Sequence, residues 1–151
     1  MRCLKLIIFI GLFIVLLFLG SCEDKYENHA LALRNKTNTT ITLQRFSGSN
    51  LNQTIEILPN SYVKFFETST DLWLTPPIEL GKISDSLIVD YDNIKIKFSE
   101  NQAINYNENP YSNMATWVLE IEEFEVPKLF GNKKDRTYIH IFEIEQHKII
   151  N

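Results

Sequence analysis

The chain has 151 residues, of which 44% are hydrophobic and 12% aromatic; this composition is typical of one compact domain with a buried core and excludes a disordered tail. Its 15 basic and 19 acidic residues give a formal charge of −4. Contacts to nucleic-acid phosphates need a basic patch, and none is visible along the sequence, so the charge balance argues against a nucleic-acid partner.

The first segment has the pattern of an export signal. Arg2 and Lys5 introduce a run of fourteen apolar residues, 6–19, which is the length expected of a cleavable signal. A membrane-spanning helix usually needs about 20 apolar residues. A simple transmembrane anchor within residues 1–21 is therefore the alternative.

Four residues at the end of this run decide between the two readings. Leu19-Gly20-Ser21-Cys22 resembles the lipobox of bacterial lipoproteins, which implies cleavage before Cys22 and a diacylglycerol on its thiol. Two or three acyl chains hold a protein at a membrane essentially permanently, whereas one chain does not. A free or disulfide-bonded Cys22 is disfavoured, because the one other cysteine, Cys3, lies inside the signal.

Acidic residues follow the lipidation site directly. Glu23 and Asp24 resemble the lipoprotein export signal of Bacteroidota, which implies an outer-membrane location with the domain facing the cell exterior. The alternative is an ordinary solvated tether over residues 22–29. Loss of the signal peptide would remove two basic residues and make the formal charge −6.

From residue 30 to residue 151 the chain is predicted to form a single all-β domain. Segments 29–35, 39–46, 53–58 and 61–67 are short runs with period-two character, which is typical of strands. Gly48-Ser49-Asn50 predicts a hairpin, and Pro59-Asn60 predicts a tight corner.

The clearest hairpin covers residues 86–99. Leu87, Val89 and Tyr91 alternate on its first strand, and Ile94, Ile96 and Phe98 alternate on its second, while Lys95 and Lys97 face outward. Asp92-Asn93 supplies a two-residue turn. Such alternation indicates an antiparallel sheet with one wet face.

In segment 116–127 the alternation of apolar residues shifts by one position near the middle. Trp117, Leu119 and Ile121 share one parity, and Phe124 and Val126 share the other, so a β-bulge is predicted at Glu122-Glu123. The glutamates in this segment could catalyse glycoside hydrolysis or bind calcium. The preferred interpretation is a polar strand face that pairs with Lys95 and Lys97 of a neighbouring strand.

The C-terminal segment begins as a strand near residue 137. Ile139 and Ile141 lie on one side, and Tyr138, His140 and Phe142 lie on the other, which predicts a central strand. Residues 143–150 also permit a short helical turn. Together with the Asp-Asn hairpin, this end resembles small exported lipoproteins of Flavobacteria and Bacteroides, a resemblance that carries no functional residues.

About eight strands without a crossover helix predict a two-layer antiparallel β-sandwich, with a small β-barrel as the alternative. Two longer polar stretches, 68–85 and 100–115, are predicted loops. Trp73, Tyr106 and Tyr111 lie in them and are candidate contacts for a sugar or peptide. The alternative for Trp73 is that it closes one end of the sandwich.

The predicted mature chain has no cysteine nucleophile, nucleophile elbow or phosphate-binding loop, and its histidines lack metal-ligand spacing. No catalytic residue, metal or cofactor is therefore predicted. Asp85-Ser86-Leu87 resembles the O-glycosylation signal of Bacteroidota, which implies a glycan on Ser86.

Three functions remain after these steps. The first is a surface-anchored binding or accessory module for an envelope protein or a glycan. The second is an immunity-type or inhibitor lipoprotein whose acidic surface complements a basic toxin. The third is a hydrolase with convergent carboxylates. The first is preferred by elimination, and the oligomeric state is left open.

Overall fold

A computed structural model describes residues 26–71, 80–112, 116–127 and 132–150 of the chain. Within these residues lie nine strands: β1 Tyr26–Asn35, β2 Ile41–Ser47, β3 Asn50–Ile57, β4 Tyr62–Asp71, β5 Ser86–Tyr91, β6 Ile94–Ser99, β7 Gln102–Ile104, β8 Val118–Pro127 and β9 Asn132–Ile144. One helical turn, α1, covers Leu80–Ile83, and a 3-10 helix covers Gln146–Lys148.

The strands form two sheets that pack face to face. Sheet A has the order β4-β1-β9-β8, and sheet B has the order β3-β2-β5-β6-β7. The predicted β-sandwich is confirmed, and the alternative of a small closed barrel is wrong, because the described strands form two separate sheets. One pair departs from the antiparallel prediction: β1 and β9 run parallel.

Turn residues adopt the conformations that the sequence predicts. Gly48 between β2 and β3 and Asn60 between β3 and β4 both have φ of 58°. Asp92 and Asn93 join β5 to β6 with φ of 45° and 68°, and positive values at both positions are required by the type I′ hairpin turn.

The core lies between the two sheets. Leu31 and Leu33 of β1 face inward from sheet A, and Val89 and Ile96 face inward from sheet B. The rings of Phe98 and Phe142 meet edge to face with centroids 5.6 Å apart. Alternation along β5 and β6 therefore buries the side chains that the sequence predicts.

Strand β8 differs from its prediction. Its ten residues pair with β9 in one unbroken register, so the bulge expected at Glu122-Glu123 is absent. Leu119 and Phe124 stay 54% and 44% exposed, because β8 is an edge strand of sheet A. The expected pairing with Lys95 and Lys97 is also wrong, since β6 lies in sheet B.

Other boundaries differ less. β1 begins at Tyr26, so regular structure starts inside the segment predicted as a tether. β7 and α1 lie inside stretches predicted as loops. The short helical turn considered for residues 143–150 is present as the 3-10 helix. Among the described residues, no helix is both long enough and apolar enough to cross a membrane.

Candidate functional site

Sheet A buries a second, smaller apolar cluster on its outer face. Ala30 and Ala32 of β1 point away from the main core, beside Ile139 and Ile141 of β9, and all four are fully buried. Side chains on an outer sheet face are usually wet. Other side chains on that face must therefore cover these four residues.

The cover is a layer of ion pairs that reaches across strands. The Nη1 of Arg34 donates to Glu143 at 3.1 Å, and its Nη2 donates to Glu120. The guanidinium also lies 5.3 Å from the centroid of the Tyr62 ring, within the range of a cation–π contact.

A second bridge reaches from one edge of sheet A to the other. The Nζ of Lys64, on β4, donates to Glu122, on β8, at 2.6 Å, and the Tyr62 hydroxyl donates to the same carboxylate at 2.7 Å. The Lys64 and Tyr62 hydrogen bonds lower the pKa of Glu122. Small alanines on β1 leave room for these long side chains to lie across the sheet.

Beside this bridge lies a groove of about 480 Å³ on the same face. Ser69, Asn28, Thr137 and Glu122 are direct cross-strand neighbours, one on each of the four strands. The groove therefore runs across the strands, with the Lys64–Glu122 bridge at its wall and Phe124 of β8 among its lining residues.

The groove offers hydrogen-bonding groups of every kind together with one apolar ring. Asn28 supplies an amide, and Ser69 and Thr137 supply hydroxyls that donate and accept. Phe124, which is 44% exposed, supplies an aromatic face. A few convergent polar groups around an apolar contact are typical of a small-molecule site.

The loop tyrosines predicted as ligand contacts do not line this groove. Tyr106 is 3% exposed, donates its hydroxyl proton to the Glu143 carbonyl at 3.0 Å and accepts from the Glu145 amide at 2.9 Å. Tyr111 packs against the main core. Burial raises the pKa of each of these tyrosines to about 12. Tyr106 is a core residue and presents no ring face to a ligand here.

Four other predicted site residues, Cys22, Glu23, Asp24 and Trp73, lie outside the described residues. Ser86 begins β5 and is half-buried, between Phe46 of β2 and Ser99 of β6. Its neighbour Asp85 accepts a hydrogen bond from the Gly48 amide. O-glycosylation of Ser86 stays a prediction.

The glutamates of β8 are used as ion-pair partners. Glu120 and Glu122 contact Arg34 and Lys64 on the outer face, and Glu123 contacts Arg136 at 2.9 Å. A general acid needs a raised pKa, whereas the pKa of Glu122 is lowered. Among the described residues, no group of three or more His, Cys, Asp or Glu side chains could hold a metal ion.

The groove residues were not predicted from the sequence. Asn28, Ser69 and Thr137 lie far apart in the chain, and they meet because β1 pairs with both β4 and β9. The one local signal for this site was the pair Ala30 and Ala32, two small apolar residues at positions of β1 where an outward-facing polar side chain is expected. Comparison of the chain with protein-family models, with curated proteins and with solved structures found no match.

Proposed function

We propose that the chain is a lipid-anchored envelope lipoprotein, a non-catalytic binding module held at the outer membrane with its sandwich facing the cell exterior. The anchor is carried by the Leu19-Gly20-Ser21-Cys22 motif, which resembles a lipobox. β1 begins at Tyr26, so only three residues separate the proposed lipid from sheet A. The module would stand close to the membrane surface.

The groove on sheet A is the observation that supports a binding role. Its lining combines an amide, hydroxyls and one phenyl ring with the charges of Lys64, Glu67 and Glu122, two of which neutralise each other in an ion pair. Such groups are suited to neutral sugar rings. The hydroxyl oxygens of a sugar form hydrogen bonds with amides and hydroxyls, and its C–H face stacks on an aromatic ring. The proposed ligand is an oligosaccharide.

The anchor is tested in cells fed an alkyne-tagged palmitate. The chain is expected to take up the label and to partition into detergent, and Cys22→Ala is expected to abolish both. Protease treatment of intact cells then tests the export signal, with Glu23→Ala plus Asp24→Ala as the variant. Unchanged surface cleavage in that variant would remove the export proposal and leave the anchor intact.

Saccharide binding is tested by titrating the full chain, kept in detergent, with neutral bacterial and host oligosaccharides from an array. Phe124→Ala is expected to weaken binding by about tenfold, because it removes the stacking face. Leu51→Ala, at a position of β3 that is 52% exposed, is the control. Equal binding by both variants would contradict the groove as the site.

An inhibitor or immunity role is the second candidate function. The observation that favours it is the acidic composition of β8, with Glu120, Glu122, Glu123 and Glu125 on one edge strand. An acidic edge is complementary to a basic partner. A toxin gene beside the gene for this chain, with cells killed by the toxin when the lipoprotein is deleted, would favour this role over saccharide binding.

A further inference from the structure

The edge of sheet A formed by β8 differs from the other three sheet edges. β4 and β3 each carry an irregularity, seen as register shifts opposite Leu31/Ala32 and Arg45/Phe46, and β7 has three residues. β8 pairs with β9 over ten residues without a shift. Bulges and short strands keep sheet edges from pairing with other chains, so β8 lacks two protections that the other edges have.

The side chains of β8 are also unusually apolar for an edge. Val118, Leu119, Ile121 and Phe124 are 39–54% exposed and make up half of the exposed large hydrophobic residues among the described part of the chain. Leu119 and Ile121 lie on the core-facing side of sheet A, opposite His140 and Tyr138. Sheet B does not cover them there.

Charge decides what kind of chain fits this edge. Two antiparallel β8 strands centred on Glu122 would place the two Glu122 carboxylates opposite each other, and a pair centred on Ile121 would place Glu120 of each copy opposite Glu122 of the other. Like charges directly opposite each other destabilise a sheet, which argues against a second copy. Glu120, Glu122 and Glu123 keep 40–46% of their side-chain surface exposed beside their own cations, and an ionised carboxylate accepts several donors.

We propose that β8 is the docking edge for an extended segment of a different protein, which adds a fifth strand to sheet A. Residue by residue, an antiparallel strand opposite residues 118–125 needs apolar side chains facing Val118, Leu119, Ile121 and Phe124 and basic side chains facing the glutamates. Read in its own direction, the complementary segment has the pattern Lys-Val-Lys-Lys-Val-Lys-Val-Val. This inference does not depend on saccharide binding in the groove.

The test titrates the full chain, in detergent, with that eight-residue peptide, blocked at both ends. A peptide with every lysine and valine exchanged has the same charge and composition but places lysines opposite the apolar residues. We expect it to bind at least about tenfold more weakly, since each cross-strand pair changes from favourable to unfavourable. We also expect binding of the first peptide to slow hydrogen exchange at the β8 amides that face the free edge.

Substitutions locate the site. Ile121→Lys is expected to weaken binding of the peptide by about tenfold, and Leu51→Lys adds the same charge at an equally exposed site on β3 and is expected to leave it unchanged. Ile121 lies on the opposite face from the groove, so its substitution should leave saccharide binding intact.

Three results would overturn the proposal. The first is equal affinity of the chain for the two peptides, or equal affinity for the first peptide and for a backbone-methylated version of it that cannot donate hydrogen bonds. In either case binding would be charge attraction alone. The second is self-association of the chain that Ile121→Lys abolishes, which would assign the edge to a second copy. The third is no binding by the unaltered chain, a result that stands whether or not the variants fold.

Discussion

The rings of His29 and His140 are stacked, with centroids 5.8 Å apart and 17° between their planes. His29 also stacks on Tyr138 at 5.3 Å. Burial first, and electrostatic repulsion by the neighbouring His29 second, lower the pKa of His140 below its ordinary value of 6.5. The folded chain therefore favours a neutral His140 at pH 7, which makes stability depend on pH.

The first prediction concerns this dependence. Because the unfolded chain binds a proton near pH 6.5 and the folded chain binds it only at lower pH, the contribution of His140 is complete above pH 6.5. It is lost as the pH falls through the lowered pKa. Denaturant titrations between pH 7.5 and 5 should show the free energy of unfolding decreasing, and His140→Gln should flatten that decrease. His147→Gln, at a side chain 73% exposed, is the control and should retain the slope.

The second prediction concerns the layer over Ala30 and Ala32. Arg34→Met should lower the free energy of unfolding by about 2 kcal/mol, because it removes two charge-assisted hydrogen bonds from a side chain that is 15% exposed. Arg136→Met removes a contact to Glu123 from a side chain that is 57% exposed, and should lower the free energy of unfolding much less, because solvent screens an exposed ion pair. Equal losses in urea titrations would show that the layer contributes no more than a surface ion pair.

Local alternation was sufficient to predict most strands of the fold. The side chains of Leu87, Val89 and Tyr91 are buried as their spacing predicts, because period-two patterning is imposed directly by a half-buried sheet. Turn residues were equally informative, since few residue types tolerate the positive φ found at Gly48 and Asn60.

The position of a strand within its sheet could not be predicted in the same way. β8 has the alternation of a buried strand in its first half, yet Leu119 and Ile121 are more than half exposed, because strand order is set by partners distant in sequence. The Lys64–Glu122 bridge joins residues 58 positions apart. The groove beside it depends on β9 pairing in parallel with β1, which no local pattern encodes.

The third prediction tests the hairpin turn between β5 and β6. Asn93 has φ of 68°, a conformation that costs an ordinary L-residue about 1 kcal/mol and glycine nothing. Asn93→Ala should therefore lower the thermal midpoint, and Asn93→Gly should keep it or raise it slightly, since Asp-Gly is a preferred type I′ pair. Asn101→Ala, at an exposed residue of the next turn, serves as the control. A larger loss for Asn93→Gly than for Asn93→Ala would contradict the turn geometry.

The fourth prediction concerns Asn35, a fully buried polar side chain at the end of β1. Its Nδ2 donates to the carbonyls of Thr39 and Ile57 at 2.7 and 2.9 Å, and its Oδ1 accepts from the amide and hydroxyl of Thr37. One amide thus ties the β1–β2 connection to the end of β3 and uses both its donor and its acceptor. No other side chain of this size supplies two donors and an acceptor in this arrangement.

Asn35→Asp tests that requirement with almost no change of volume. The substitution replaces the Nδ2 amide, which donates to the carbonyls of Thr39 and Ile57, with a carboxylate oxygen that cannot donate. The free energy of unfolding should therefore fall by about 3 kcal/mol or more at pH 7. The loss should be smaller at pH 4, where a protonated carboxyl regains one donor. Asn35→Ala removes the same hydrogen bonds without adding charge, so its loss should change less between the two pH values. Equal losses for Asp and Ala at both pH values would show that packing, and not hydrogen bonding, is what position 35 supplies.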